Sequence, residues 1–317
     1  MSFTTSQEPT PDPPINLQEL LQEFASGNVD PARVAEISDP SREQIQDMRN
    51  SWNTLPVETR RELLREMRRQ SEENLALEFT RYFRLAMGDK DDEVRAIGIR
   101  ALWEDDTPSF LDNLAALAEI EESPAVQEAI ALSLGTFSYM VELDELDPEP
   151  AAKTQRALFH LIENGGNWMV RRRALESAAY MSRNQRVRTE IQRAYESDFE
   201  QECAGALVAM GRNLNPDWFP IILQELTNED PDIRCEAARA AGEFGDPVAI
   251  DQLSKMIDDE DEEVREVSVR SIGQIGDKKA IDTLRYLDTQ VPEELKPTIE
   301  VALEEARFLS ESTGLEE

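Results

Sequence analysis

Asp230-Pro231-Asp232-Ile233-Arg234-Cys235-Glu236-Ala237-Ala238-Arg239-Ala240-Ala241-Gly242-Glu243-Phe244-Gly245-Asp246 is the stretch that decides the fold. Thirty-one residues on, Asp261-Glu262-Glu263-Val264-Arg265 through Gly273-Gln274-Ile275-Gly276-Asp277 follows the same pattern. Each copy opens on an aspartate able to cap a helix, continues with an apolar residue and an arginine, and then fills with small residues.

Working outward, the apolar position recurs as Val94, Val126, Val170, Glu202, Ile233 and Val264, at spacings of 32, 44, 32, 31 and 31 residues. The long spacing is assigned to an insertion around Val141–Pro150, and a weaker copy begins near Val57. Three residues before the anchors stand Thr54, Asp91, Ser123, Asn167, Phe199, Asp230 and Asp261, six of the seven being cap types. Pro124 and Pro231 follow their caps, where the missing N–H costs nothing. Seven residues after the last six anchors come Ala101, Ser133, Ser177, Ala209, Ala240 and Ser271, all small, so neighbouring helices can approach closely. Second helices carry larger apolar teeth, such as Ile250, Leu253 and Ile257. Two helices of about 12 residues and two turns fill one period, and neither buries its apolar stripe alone, so stacking is required.

The two sharp copies resemble the HEAT repeat in its short phycobilisome-lyase-like form, and Ala101-Leu102-Trp103-Glu104-Asp105-Asp106 looks like uncharacterised bacterial HEAT proteins. The resemblance spans about residues 55–290. It implies an all-α fold, a right-handed α-solenoid of about seven helix pairs whose capped Val-Arg helices line the concave face. Residues 1–15, rich in proline, read as a disordered tail and 16–54 as a helical cap. That cap comprises helices over Asn16–Ala25, Pro31–Ile37 and Ser41–Trp52, the last opened by a Ser41…Gln44 capping box. Residues 291–317 read as a capping helix (Pro292–Leu309) and an acidic tail.

Composition narrows the partner. Against 33 Lys+Arg stand 66 Asp+Glu, a formal net charge of −33, which repels phosphate backbones and anionic lipid and attracts basic surfaces. Acidity for solubility alone is the competing reading. No window approaches the apolar length of a membrane helix. Two cysteines, Cys203 and Cys235, without CxxC or a secretory signal, point to a reducing cytoplasm.

Chemistry finds little footing. Deoxyhypusine hydroxylases share the fold and hold two irons on several His-Glu pairs, whereas this chain has the single histidine His160. Transition metals and other cofactors are therefore not expected. Cys203 and Cys235 stand about one repeat apart, which leaves bilin-lyase-like or chaperone activity as the alternative to a scaffold. Asp258–Glu263 lacks the ligand order of a calcium loop and reads as a solvated turn.

One segment breaks the acidic trend. Gly165–Arg193 holds seven arginines, including Arg171, Arg172 and Arg173, against Glu176 and Glu190. Either these pair internally, for instance with the acidic insertion Glu142-Leu143-Asp144-Glu145, or they dock an acidic or mixed-charge protein segment. Six residues after the anchors, Arg100, Leu132, Glu176, Val208, Arg239 and Arg270 are expected on the concave face. Trp103, nine after its anchor where other copies carry Gly or Ala, is either a groove filler or a binding hot spot. The resulting expectation is a monomeric, non-enzymatic scaffold with a protein partner. Its site comprises Arg100, Trp103, Arg171, Arg172, Arg173, Glu176, Arg239 and Arg270.

Overall fold

The computed structural model describes residues 17–313, so the proline-rich tail and the final four residues lie outside the description. Every regular element among the described residues is helical: eighteen α-helices and four short 3-10 turns. The chain divides into two compact units, Met1–Glu104 and Asp105–Glu317.

The first unit contains α1 (Leu17–Ala25), α2 (Pro31–Ala35), α3 (Arg42–Ser51), α4 (Val57–Glu73), α5 (Thr80–Ala86) and α6 (Asp92–Ala101). Ser41 and Gln44 form the expected capping box. Thr54 is not a cap: a 3-10 turn carries the chain to Pro56, which sets the start of α4, and the Thr54 hydroxyl donates to the Ser51 carbonyl. Buried Asp89 organises this unit. It accepts from Trp52 Nε1 at 2.5 Å and from Arg60 at 3.2 Å, tying the end of α3, the start of α4 and the turn before α6.

The second unit contains α7 (Pro108–Ile120), α8 (Pro124–Glu142), α9 (Pro148–Asn164), α10 (Trp168–Ala178), α11 (Gln185–Tyr195) and α12 (Glu200–Asn213). It continues with α13 (Phe219–Glu225), α14 (Pro231–Phe244), α15 (Ile250–Leu253), α16 (Glu262–Ile275), α17 (Lys278–Asp288) and α18 (Lys296–Thr313). Within this unit odd- and even-numbered helices alternate in six pairs, α7–α8 to α17–α18, and α5–α6 forms a further pair within the first unit. The even-numbered helices α8 to α18 stack each on the next. Helix α18 therefore takes one more place in that stack, and it runs four residues beyond the Leu309 boundary expected from the sequence.

Small residues set the spacing of this layer. A Cβ on Gly211 would lie 2.9 Å from Ala240 Cα, and one on Gly242 3.0 Å from Ser271 Cα. In both cases the residue nine after one anchor meets the residue seven after the next, so backbones touch where side chains would normally stand. The odd-numbered helices carry larger teeth, such as Ile222, Leu253 and Leu284, and pack beside the even-numbered layer. That layer is called the inner layer below.

The extra residues at 141–150 do not form an inserted loop. They lengthen α8 to 19 residues and α9 to 17, with a short acidic turn between them. The expected caps hold at Asp91, Asn167, Asp230 and Asp261, each accepting a first-turn N–H.

Candidate functional site

The arginine after the anchor, the second half of the Val-Arg signature, does not reach across the inner face. Arg95, Arg171, Arg234 and Arg265 each fold back onto carbonyls of the preceding turn, for example Arg265 onto Asp259 at 2.9 Å and Arg234 onto Asn228 at 2.8 Å. The side chain thereby satisfies carbonyls left without partners in a tight acidic turn. Arg234 also holds Asp259 at 2.7 Å. Burial pushes the Asp259 carboxyl up, and the hydrogen bond and charge of Arg234 outweigh it, so the group titrates below its ordinary value. Within Asp258–Glu263, then, Asp259 anchors an arginine and Asp261 caps a helix.

The inner face is instead reached by side chains two, three, six and ten residues after the anchors. On α10 these are Arg172, Arg173 and Glu176, with Tyr180 just past its end; on α12, Arg212; on α14, Glu236, Arg239 and Glu243; on α16, Glu266 and Arg270. Glu176 is only 2% exposed because Arg172 and Arg173 fold over it, each at 2.7 Å, with Arg212 at 3.8 Å. Arg172 continues to Glu236 at 3.2 Å, Glu236 lies 3.6 Å from Arg239, and Arg239 reaches Glu263 at 2.7 Å. A ladder of alternating charge thus crosses four inner helices. Burial raises the Glu236 carboxyl above its ordinary value despite Arg239 and Arg172 beside it.

With Glu128 on α8, the face from α8 to α16 carries five glutamates and five arginines at those positions, and it is neutral in a chain of net charge −33. The net acidity of the second unit lies chiefly on the turns between its helices.

Four of the remaining arginines of the basic segment are also engaged, whereas Arg188 buries its Nε without a hydrogen-bond partner. Arg171 meets Glu202 at 3.3 Å, Arg186 pairs with Glu163 and stacks on Phe159, and Arg193 meets Glu190 at 3.5 Å. Arg183 takes Glu142 at 3.7 Å, the last residue of α8, and Asp144 at 3.2 Å in the acidic turn that follows. A depression of about 500 Å³ opens between α9 and α12, lined by Arg171, Arg172 and Arg193 against Glu163, Glu190 and Glu202. Trp168 packs edge-on to Phe199 at the start of α10.

Of the eight residues singled out in the sequence, six lie on the inner layer of the second unit: Arg171, Arg172, Arg173, Glu176, Arg239 and Arg270. Arg239 and Arg270 are exposed, whereas Glu176 is roofed over. Arg100 and Trp103 belong to the first unit. Helix α6 stops at Ala101, so Trp103 sits in the following turn and is 59% exposed. It fills nothing.

Two features escaped the sequence reading. Tyr139 on α8 and Tyr180, just past the end of α10, meet edge to face with centroids 5.7 Å apart, and the Arg212 guanidinium lies 5.6 Å from the Tyr180 ring centre. Buried Asn213 bridges repeats, donating to the Ala179 carbonyl at 2.9 Å and accepting from Trp218 Nε1 at 3.0 Å. The spacing of Tyr139 seven residues after Leu132 was the available signal for the first; nothing local marks the second.

Both cysteines are free thiols, Cys235 buried and Cys203 half-buried. Burial, together with the Glu263 charge, pushes the Cys235 thiol up to about 12, and burial raises Cys203 as well. His160 is half-buried on α9, its Nδ1 3.5 Å from the Asn164 side chain. Among the described residues no group of three or more His, Cys, Asp or Glu side chains is arranged to hold a metal ion, and no helix is long and apolar enough to cross a membrane.

Comparison with known proteins agrees with this architecture. Residues 219–304 match the family model for HEAT repeats. Among solved structures, the Escherichia coli protein YibA is 16% identical, with 77% of this chain and 95% of that one covered, at a TM-score of 0.44. Human deoxyhypusine hydroxylase is 13% identical over 92% of this chain and 97% of its own, at 0.34. Kap121p, solved bound to Pho4p, is 12% identical over 93% of this chain and 38% of its own, at 0.42. No functionally curated sequence matches the chain.

Proposed function

We propose that this helical-repeat chain, with its HEAT repeats at 219–304, is a non-enzymatic scaffold that holds a partner protein along the inner face of its second unit. The observation that carries the reading is the charge balance at the positions two, three, six and ten after the anchors on that face: five arginines balance five glutamates there, while the whole chain carries −33. A surface kept neutral amid strong acidity admits a protein segment of mixed charge without long-range repulsion, and fixes its register by local pairing. All five cations are arginines, whose planar guanidinium can hold one carboxylate internally and still offer donors outward.

Repeat stacks present such faces as extended surfaces, which suits a polypeptide better than a small molecule. The raised thiols and the dispersed titratable groups favour a scaffold over a lyase of the bilin type. Free cysteines fit a reducing cytoplasm. The partner is held by a monomer.

The test uses the partner captured by the full chain. Arg239→Glu with Arg270→Glu, both exposed, should abolish capture while circular dichroism stays unchanged. Undiminished capture would remove the inner face from consideration.

A further inference from the structure

The first inner helix of the second unit breaks the charge pattern of the others. Along its inner side α8 carries Leu132, Thr136 and Tyr139, followed just past its end by Leu143, at steps of four, three and four residues. Leu132, Tyr139 and Leu143 are 49%, 51% and 47% exposed. Between Glu128 and Glu142 this helix bears no charge at all. On the neighbouring inner helices the position matching Leu132 holds Glu176, Val208, Arg239 and Arg270. The stripe is also held rigid on one flank, where Tyr139 abuts Tyr180 and Arg212 stacks on Tyr180 from α12.

The stripe runs into the acidic turn between α8 and α9. There Glu142 and Asp144 are taken by Arg183, and Glu149 by Lys153 at 3.1 Å. Among the described residues Glu145 and Asp147 have no ion-pair partner. An apolar strip ending in uncompensated negative charge calls for an occupant that is apolar along its length and basic at one end.

Resting on the reading that the inner face is the docking surface, we propose that the Leu132–Leu143 stripe seats an amphipathic helix of the partner protein. Its apolar anchors pack on Leu132, Tyr139 and Leu143, and lysine or arginine at one end meets Glu145 and Asp147. The stripe spans 11 residues of chain, about 17 Å, the length of three helical turns. Among the described residues no strand offers an edge, so a helix laid in the groove is the mode this surface supports.

The probe is a fluorescent 18-residue synthetic helix with leucines at i, i+4 and i+7 and lysines confined to its last turn. Anisotropy titration with the full chain should give saturable one-to-one binding. Leu132→Ser with Tyr139→Ser should weaken it at least tenfold. Glu145→Lys with Asp147→Lys should weaken it about tenfold and flatten its salt dependence. A charge-matched control on α18, Glu300→Lys with Glu304→Lys, should leave it unchanged. The same peptide with glutamates for lysines should not bind. Absence of binding, indifference to the Leu132/Tyr139 pair, or an equal loss from the α18 control would overturn the proposal. So would self-association of the chain that the Leu132/Tyr139 pair abolishes, because the stripe would then belong to a second copy. Failure here leaves the Arg239/Arg270 capture result standing, so the two readings fall separately.

Discussion

Arg172 on α10 pairs with Glu236 on α14 at 3.2 Å, reaching past the helix that lies between them. It can do so because residue 205 on α12 is glycine: a Cβ there would lie 2.7 Å from Arg172 Cγ. The same guanidinium also holds Glu176 on its own helix, so one side chain ties α10 to α14 while packing over α12. Arg171–Arg173, which the sequence offers as a docking patch, is thus largely a fastening within the repeat stack.

Breaking that fastening should register as stability. Arg172→Ala removes the main cover from a glutamate that is 2% exposed, and should cost about 1–3 kcal/mol in chemical denaturation. Simultaneous reversal of Arg171, Arg172 and Arg173 to glutamate should lower the melting temperature further. A double-mutant cycle on Arg172 and Glu236 should return a coupling of about 1 kcal/mol despite their separation of 64 residues. An unchanged melting temperature for the triple reversal would show the cluster to be free for an outside anion.

Glycine in the inner layer should resist a change that ordinarily helps a helix. Gly211→Ala gains about 1 kcal/mol of helix propensity. It also drives a methyl to 2.9 Å from Ala240 Cα, where the obstacle is backbone and cannot rotate away. Overpacking of this kind costs about 1–3 kcal/mol. The variant should therefore be less stable than the parent in urea, and a more stable one would disprove the close approach.

Leu214 points the other way. It ends α12 in the left-handed region at φ 54°, where Gly245 and Gly276 end α14 and α16. A side chain in that region costs about 1–2 kcal/mol. Leu214 is half exposed and loses little packing, so Leu214→Gly should stabilise the chain by about 1 kcal/mol despite the entropy that glycine adds to the unfolded state.

Thiol chemistry gives a pH-dependent check. With Cys235 pushed up to about 12, its thiolate is scarce at pH 8, and iodoacetamide should label it far more slowly in the folded chain than in urea. A folded value above the unfolded one of about 8.5 means the neutral thiol favours folding fully below that pH. That contribution is lost as pH rises toward about 12. Fast labelling at pH 8 without unfolding would contradict the buried placement.

The repeat was legible because it is local. Caps at Asp91, Asn167, Asp230 and Asp261, and the small residues seven after each anchor, act within a helix or between adjacent ones, so their period survives in the sequence. Thr54 misled because Pro56, two residues on, sets the helix start instead. The recurring arginine after the anchor was visible, but its role was not. Its partners are backbone carbonyls of the turn, which carry no residue identity. The ladder from Arg173 to Glu263 joins residues up to 64 apart through the spacing of the stack, and a single sequence does not reveal which carboxylate an arginine will find. Trp103 required knowing that α6 ends early, at Ala101.

The central claim, that the inner face of the second unit holds a partner, is tested most directly by site-specific photo-crosslinking in native extract. A benzoylphenylalanine at Val208 on α12 or Gln274 on α16 reports the inner face; one at Asp251 on α15 or Asp282 on α17 reports the outer layer. The account predicts that one protein crosslinks from Val208 and Gln274 and not from Asp251 or Asp282. The same band from the outer positions, with none from the inner ones, would contradict it.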